Sequence, residues 1–153
     1  MQTLADSSSS LVSLATRERL SMMYLESCSS DSSLTFKMGR GVSLPMLNTS
    51  IGRAFLAAVP QSEREYILDR LLAREDEKSQ KAIMDKLQEE FRHYKEKGYC
   101  RSMGDWDSGV NAIAAPIHLP NFDSDVIVIS VSGPAFMVSR ELLETKLSAD
   151  MLS

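Results

Sequence analysis

The sequence predicts an α+β fold, an antiparallel sheet with helices packed on it. Three observations predict it. Strand-like segments cluster at both ends of the chain, helical periodicity fills the middle, and short turn signals separate neighbouring strands as in hairpins.

The elements follow in order. Residues 1–10 read as a short helix fraying into serines. Leu11, Val12, Leu14 and Ala15 predict a strand, Arg17-Glu18-Arg19 a polar turn, and 20–28 a second strand carrying Met22, Met23, Tyr24 and Leu25. A small-polar loop at 29–33 leads to a short third strand at 34–37, broken by Gly39-Arg40-Gly41, and Leu44-Pro45-Met46 is a brief extended piece. Asn48, Thr49 and Ser50 offer caps for a helix whose stripe is Ile51, Ala54, Phe55 and Ala58, ending before Pro60. Ser62 with Glu65 makes a capping box for a second helix to about Leu72. A third helix spans 77–97, with Ile83, Leu87, Phe91 and Tyr94 on one stripe and Gly98 as its left-handed cap. Then come an extended piece at 99–102, an acidic loop at 105–108, strands at 110–118 and 126–132, Gly133-Pro134 closing the sheet, and a helix at 140–151. The last two strands are apolar on both faces, so they belong at the centre of the sheet.

Composition bounds the function. At 153 residues, 43% hydrophobic and 25% charged, the chain is expected to form one domain over 1–153 with core enough for a pocket. A net charge of -4 argues against this chain gripping DNA unaided, because phosphate affinity comes from clustered Lys and Arg. Cys28 and Cys100 form no Cys-x-x-Cys pair, which fits a reducing cytoplasm and no disulfide framework. No apolar run approaches the roughly 20 residues of a spanning helix, and the polar N-terminus lacks the features of a signal peptide.

Four places could carry chemistry. Ser130 and Ser132, two apart on a strand, point to one face with Val126 and Val128, while Ile127, Ile129 and Val131 take the other. They either bond to backbone or water, or line a ligand seat. The helix start at Thr49-Ser50-Ile51-Gly52 has unpaired amides that suit a carboxylate, and Gly52 permits close approach to the backbone; an ordinary capped helix is the competing reading. Arg53, opposite the Ile51/Phe55 stripe, is expected at the surface. Asp105-Trp106-Asp107 is either an aromatic lid or a solvated loop with one Trp over the core. The methionines at 22, 23, 38 and 46 suit core or an adaptable pocket wall.

Catalytic readings are weak. His93 lies on a charged helix and His118 at a strand end, and no Gly-x-Ser-x-Gly elbow supports a triad. Cys28, His93, Cys100 and His118 lack any metal-ligand spacing, and Gly39-x-Gly41 lacks the rest of a phosphate loop. No cofactor is expected.

Taken together, some stretches are familiar. Gly41-Val42-Ser43-Leu44-Pro45-Met46 followed by Asn48-Thr49-Ser50-Ile51-Gly52-Arg53-Ala54-Phe55-Leu56-Ala57 resembles a stretch of the IclR family of bacterial transcription regulators. Gly98-Tyr99-Cys100-x-Ser102, Gly109-Val110-x-Ala112-Ile113-Ala114-Ala115-Pro116-Ile117 and Ile129-Ser130-Val131-Ser132-Gly133-Pro134 resemble the rest of its effector domain, in the same order and spacing over nearly the whole chain. The resemblance implies a GAF/profilin-like sensor domain, not an enzyme. In such regulators it follows an N-terminal winged helix-turn-helix, which is absent here. It also implies a homodimer or tetramer, and an effector that is a small organic acid, a keto acid or an aromatic carboxylate. By the same resemblance the binding positions fall on Ser50, Ile51, Gly52, Ser102, Asp105, Ala112, Ser130 and Ser132. Some relatives have an acid in place of Ser102, a Cys in place of Ala112 and a Glu in place of Asp105; these departures leave the effector open and weigh against a tightly held metal. Two alternatives differ in class: a small stand-alone hydrolase or isomerase using Ser130 or Asp105, and a dimerisation module with no ligand.

Overall fold

The computed structural model describes residues 10–29, 41–117 and 126–152. The strands are β1 (Leu11–Glu18), β2 (Ser21–Ser29), β3 (Ser43–Pro45), β4 (Cys100–Met103), β5 (Val110–Ile117) and β6 (Ile127–Pro134). Three helices, α1 (Ser50–Ala58), α2 (Gln61–Leu72) and α3 (Glu77–Lys97), fall between β3 and β4. The chain closes with α4 (Arg140–Leu142), a π-helical turn (Leu143–Leu147) and α5 (Ser148–Leu152). Among the described residues all six strands join one sheet in the order β3-β2-β1-β6-β5-β4, and every pairing is antiparallel. The expected helix at 1–10, the strand at 34–37 and His118 lie outside the described residues, apart from Ser10.

Alternation along the strands sorts the apolar residues to two faces. Leu11, Ala15, Met22, Tyr24, Ala114 and Val128 pack with Ile51, Ala54, Phe55 and Leu56 of α1, backed by Ile67, Leu68 and Leu71 of α2 and Leu87 of α3. Val12, Ile113, Ala115 and Val131 face the other way, against Val138, Leu143, Leu147 and Met151. The central place expected for the last two strands holds for β6, which lies between β1 and β5; β5 is one strand in from the edge. Gly133-Pro134 ends the sheet as the last two residues of β6, Gly133 opposite Asn111 and Pro134 opposite Val110.

The helix ends follow capping chemistry. Thr49 caps α1 by accepting from the Gly52 N–H at 3.1 Å, and Asp76 caps α3 by accepting from Ser79 N–H at 2.7 Å. Gly98 (φ 88°) closes α3 in the left-handed conformation. The predicted Ser62–Glu65 box does not form. Pro60 is the N-cap of α2 with no side-chain bond, and Glu65 instead accepts from Gln61 at 2.9 Å. The preset φ of proline starts the helix earlier than the box requires. Among the described residues no helix is long and apolar enough to cross a membrane.

Candidate functional site

The register of the sheet explains where a cleft can exist. Ser132 on β6 sits opposite Ala112 on β5, which sits opposite Ser102 on β4. Three small side chains in a row leave room between the sheet and the start of α1. Tyr24, Leu44, Thr49, Ser50, Ile51, Ser102, Trp106, Val110, Ala112, Ser130 and Ser132 line this cleft. Measured to its open mouth it spans about 360 Å³ between atoms, but only about 20 Å³ admits a water-sized sphere. The smaller figure decides what fits as the cleft stands, and it amounts to one water molecule.

Six of the eight binding positions implied by the resemblance meet here: Ser50, Ile51, Ser102, Ala112, Ser130 and Ser132. Their polar atoms differ in how far they are engaged. Ser102 Oγ donates to Asn48 O at 2.7 Å, and Ser130 Oγ shares a 2.6 Å hydrogen bond with Ser13 Oγ. Ser132 Oγ is buried without a hydrogen-bond partner. The helix ladder begins with Arg53 N–H to Thr49 O, and the cap takes the Gly52 amide, so the amides of Ser50 and Ile51 have no acceptor within the helix.

Gly52 and Asp105 do not line the cleft. The close approach that Gly52 permits is made by the backbone of Met46, which a Cβ at this position would overlap. Asp105 turns instead to Arg53, 2.7 Å away, with Lys86 at 3.9 Å. Its neighbour Trp106, half-buried, does line the cleft.

Arg53 is not the surface charge expected. It is 3% exposed and donates to Leu47 O, Arg101 O and Asp105. The signal was present: Arg53 is the one charged residue between Ser50 and Ala58, and a helix apolar on nearly all sides is an interior helix. Two further residues escaped the sequence reading. Tyr24, 3% exposed, reaches the cleft from β2, and Ser13, fully buried, shares the 2.6 Å hydrogen bond with Ser130. A bulge between Leu14 and Ala15 sets this up, because the shifted register pairs Ala15 with Tyr24. Burial pushes the Tyr24 phenol up from its ordinary value, more than the Ser13 bond lowers it, so it keeps its proton at neutral pH.

A second polar cluster lies away from the cleft. Glu90 of α3 is fully buried and accepts from the Arg101 backbone N–H at 2.7 Å and from its guanidinium at 3.0 Å. Arg101 Nη1 also donates to Glu144 at 2.9 Å. Burial works against the Arg101 charge, but the bonds to Glu90 and Glu144 outweigh it and raise its pKa above the ordinary range. His93 packs edge-on against Tyr99 with ring centroids 4.8 Å apart, and its Nε2 is buried without a partner. Burial, then the charges of Arg101 and Lys97, lower the His93 pKa against the opposing pull of Glu90 and Glu144. A lowered folded pKa means that the unfolded chain binds the proton more readily. Stability is therefore full above about pH 6.5 and is lost as pH falls through the folded value. Urea melts between pH 7.5 and 5.5 should show this loss, and His93→Gln should flatten it.

Among the described residues no group of three His, Cys, Asp or Glu could hold a metal ion. Cys100 is buried, and burial raises its thiol pKa, so it is not a ready nucleophile.

Comparison with known proteins places this architecture. The family described as "Bacterial transcriptional regulator IclR C-terminal" matches residues 1–151. The crystal structure of an IclR family transcriptional regulator from Brucella abortus is similar at a TM-score of 0.91 and 36% identity, covering 99% of this chain and 56% of that one. The C-terminal domain of a Vibrio cholerae protein assigned as a transcriptional regulator gives a TM-score of 0.77 at 25% identity, covering 98% of this chain and 86% of that one. The C-terminal domain of Escherichia coli KdgR shares the fold, with a TM-score of 0.71 at 23% identity and coverage of 97% and 85%. A search of the curated proteins gave no match. The chain spans a little over half the length of the Brucella regulator. On the family match and the Brucella likeness together, this chain belongs to the IclR family of bacterial transcriptional regulators and corresponds to their C-terminal domain.

Proposed function

We propose that the domain is a receptor for a small organic acid, a keto acid or an aromatic carboxylate, seated between the sheet and the start of α1. The observation that carries this reading is the buried, unpartnered hydroxyl of Ser132 beside a helix start with free amides. A buried hydroxyl without a partner costs about 1–3 kcal/mol, and an anion supplies the partner. The α1 dipole contributes about 0.3–2 kcal/mol to holding it, and each hydrogen bond to its charge about 1.5–3 kcal/mol. With apolar contact from Leu44, Ile51 and Val110, a micromolar dissociation constant, about -8 kcal/mol, is within reach without a cation in the cleft.

The cleft has to widen to admit even a small acid, and Trp106 and Val110 are the half-buried residues of its lining. Opening and closing there gives the effector two arrangements to distinguish, and it biases them only as far as its affinity for the two differs. In the full-length regulator the bias passes, through a dimer or tetramer, to a DNA-binding domain outside this chain. The chain's own charge of -4 fits that division of labour. The protein works in the cytoplasm as a sensor and returns its ligand unchanged.

Titration calorimetry with a panel of small acids tests this. The wild type should bind one of them at a micromolar dissociation constant, and Ser130→Ala/Ser132→Ala should weaken it by roughly 100-fold or more, from the loss of two such bonds. Equal affinity in the two proteins would sink the assignment.

A further inference from the structure

The cleft has a polar interior and an outer side of a different character. Its lining is buried except for Trp106 and Val110, which are half-buried and so mark the side that meets solvent. The uncommitted donors lie inside. Ser132 Oγ, on a side chain 5% exposed, has no partner among the described residues, and the Ser50 and Ile51 amides have no acceptor within α1. Other hydroxyls of the lining are committed: Thr49 donates to Pro45 O at 2.6 Å, and Ser102 to Asn48 O at 2.7 Å. The free donors match the two oxygens of one carboxylate. Leu44, Ile51 and Ala112 inside, and Val110 and Trp106 outside, offer the rest of a ligand mainly carbon.

The outer side also carries negative charge. Trp106 stands in the chain between Asp105 and Asp107. Asp105 is neutralised by Arg53 at 2.7 Å. Asp107 Oδ1 accepts from the uncharged Gly109 N–H at 2.9 Å, and no cation pairs with it among the described residues. The Val110 N–H donates to Asp107 O at 2.9 Å, so the loop folds back and sets the Asp107 charge beside Val110.

We propose that the cleft takes a ligand with one carboxylate and an apolar tail, the carboxylate inside and the tail against Val110 and Trp106, and that Val110 and Asp107 make it reject dicarboxylates. The proposal rests on the receptor reading above and narrows it. A second carboxylate would give up water for carbon side chains and face the like charge of Asp107. Discrimination of this kind comes from what repels the wrong ligand as much as from what holds the right one.

The test is calorimetry with 2-oxovalerate against 2-oxoglutarate, butyrate against succinate, and 4-methylbenzoate against terephthalate. In each pair a carboxylate replaces a methyl. The proteins are the wild type, Val110→Lys, Val110→Met and Asp107→Asn. Where a monocarboxylate binds, the wild type should prefer it to its dicarboxylate by roughly tenfold or more. Val110→Lys sets an ammonium on the outer side and should lower that preference by about tenfold, while Val110→Met, long but uncharged, should not. Asp107→Asn keeps the Oδ1 that accepts from Gly109 and should lower it by about two- to fivefold. This loop variant carries the test if Val110→Lys melts early. A dicarboxylate that binds the wild type as tightly as its partner overturns the proposal. A preference that neither Val110→Lys nor Asp107→Asn lowers overturns it too, as does an equal fall in Val110→Lys and Val110→Met, which a mere change of shape would produce. Absence of binding by all six acids to the wild type overturns the receptor reading itself, a separate result with which this inference also falls.

Discussion

Arg101→Met should remove about 3–5 kcal/mol of folding stability, the cost of leaving a buried charge without its partner. Glu90 has no exposed surface, and its carboxylate is held by the Arg101 guanidinium and backbone N–H. After the substitution the backbone bond remains, and the next cation is Lys86 at 3.9 Å. For a domain of this size each kcal/mol moves the melting temperature by about 2–4 °C, so thermal melts followed by circular dichroism should fall by roughly 6–20 °C. Removing both charges in Glu90→Met/Arg101→Met should recover most of the loss, because well-packed apolar groups replace a buried pair at little cost. A double variant no better than the single would place the penalty in packing and not in charge.

Gly52→Ala should be the second severe change. The added methyl overlaps the backbone of Met46, and no side-chain rotation relieves a clash with main chain. Overpacking of this kind costs typically about 1–3 kcal/mol, occasionally more, and this site belongs at or above the upper end because α1 itself has to move. The displacement falls on the first turn of α1, next to Ser50 and Ile51, so acid binding should drop together with stability. Urea melts and calorimetry on the same preparation check both. An unchanged affinity in a destabilised Gly52→Ala would separate the helix start from the ligand seat.

How much of this was legible follows from which signals are local. The bounds of α3 could be read because a long apolar stripe and a left-handed glycine mark them within a few residues of sequence. The two β6 serines could be read because alternation fixes their face wherever the strand lies. Other features depend on register between distant segments. Ser13 meets Ser130 across 117 positions, and no local pattern announces it. Glu90 falls on the apolar stripe of α3, at i+7 from Ile83 and i+3 from Leu87, so its inward face could be read, but its partner Arg101 comes from β4 and no local pattern announces the pairing. Asp105 looked like a cleft residue until the burial of Arg53 gave it a partner. The cleft's small side chains come from three strands, so the space they leave becomes visible only when the sheet is assembled.

The strand order has a consequence for how the chain is made. β6 fills the gap between β1 and β5, so the first described strand waits for one that begins at Ile127. Until then a nascent chain can close the β1–β2 hairpin and form the helices, but β1 keeps a bare edge of backbone donors and acceptors. Such edges invite pairing with other chains. Late closure between distant segments is also slow, since loop entropy is lost before any contact repays it. Synthesis halted before residue 127 should therefore yield aggregates, while refolding of the finished chain should be limited by insertion of that last strand.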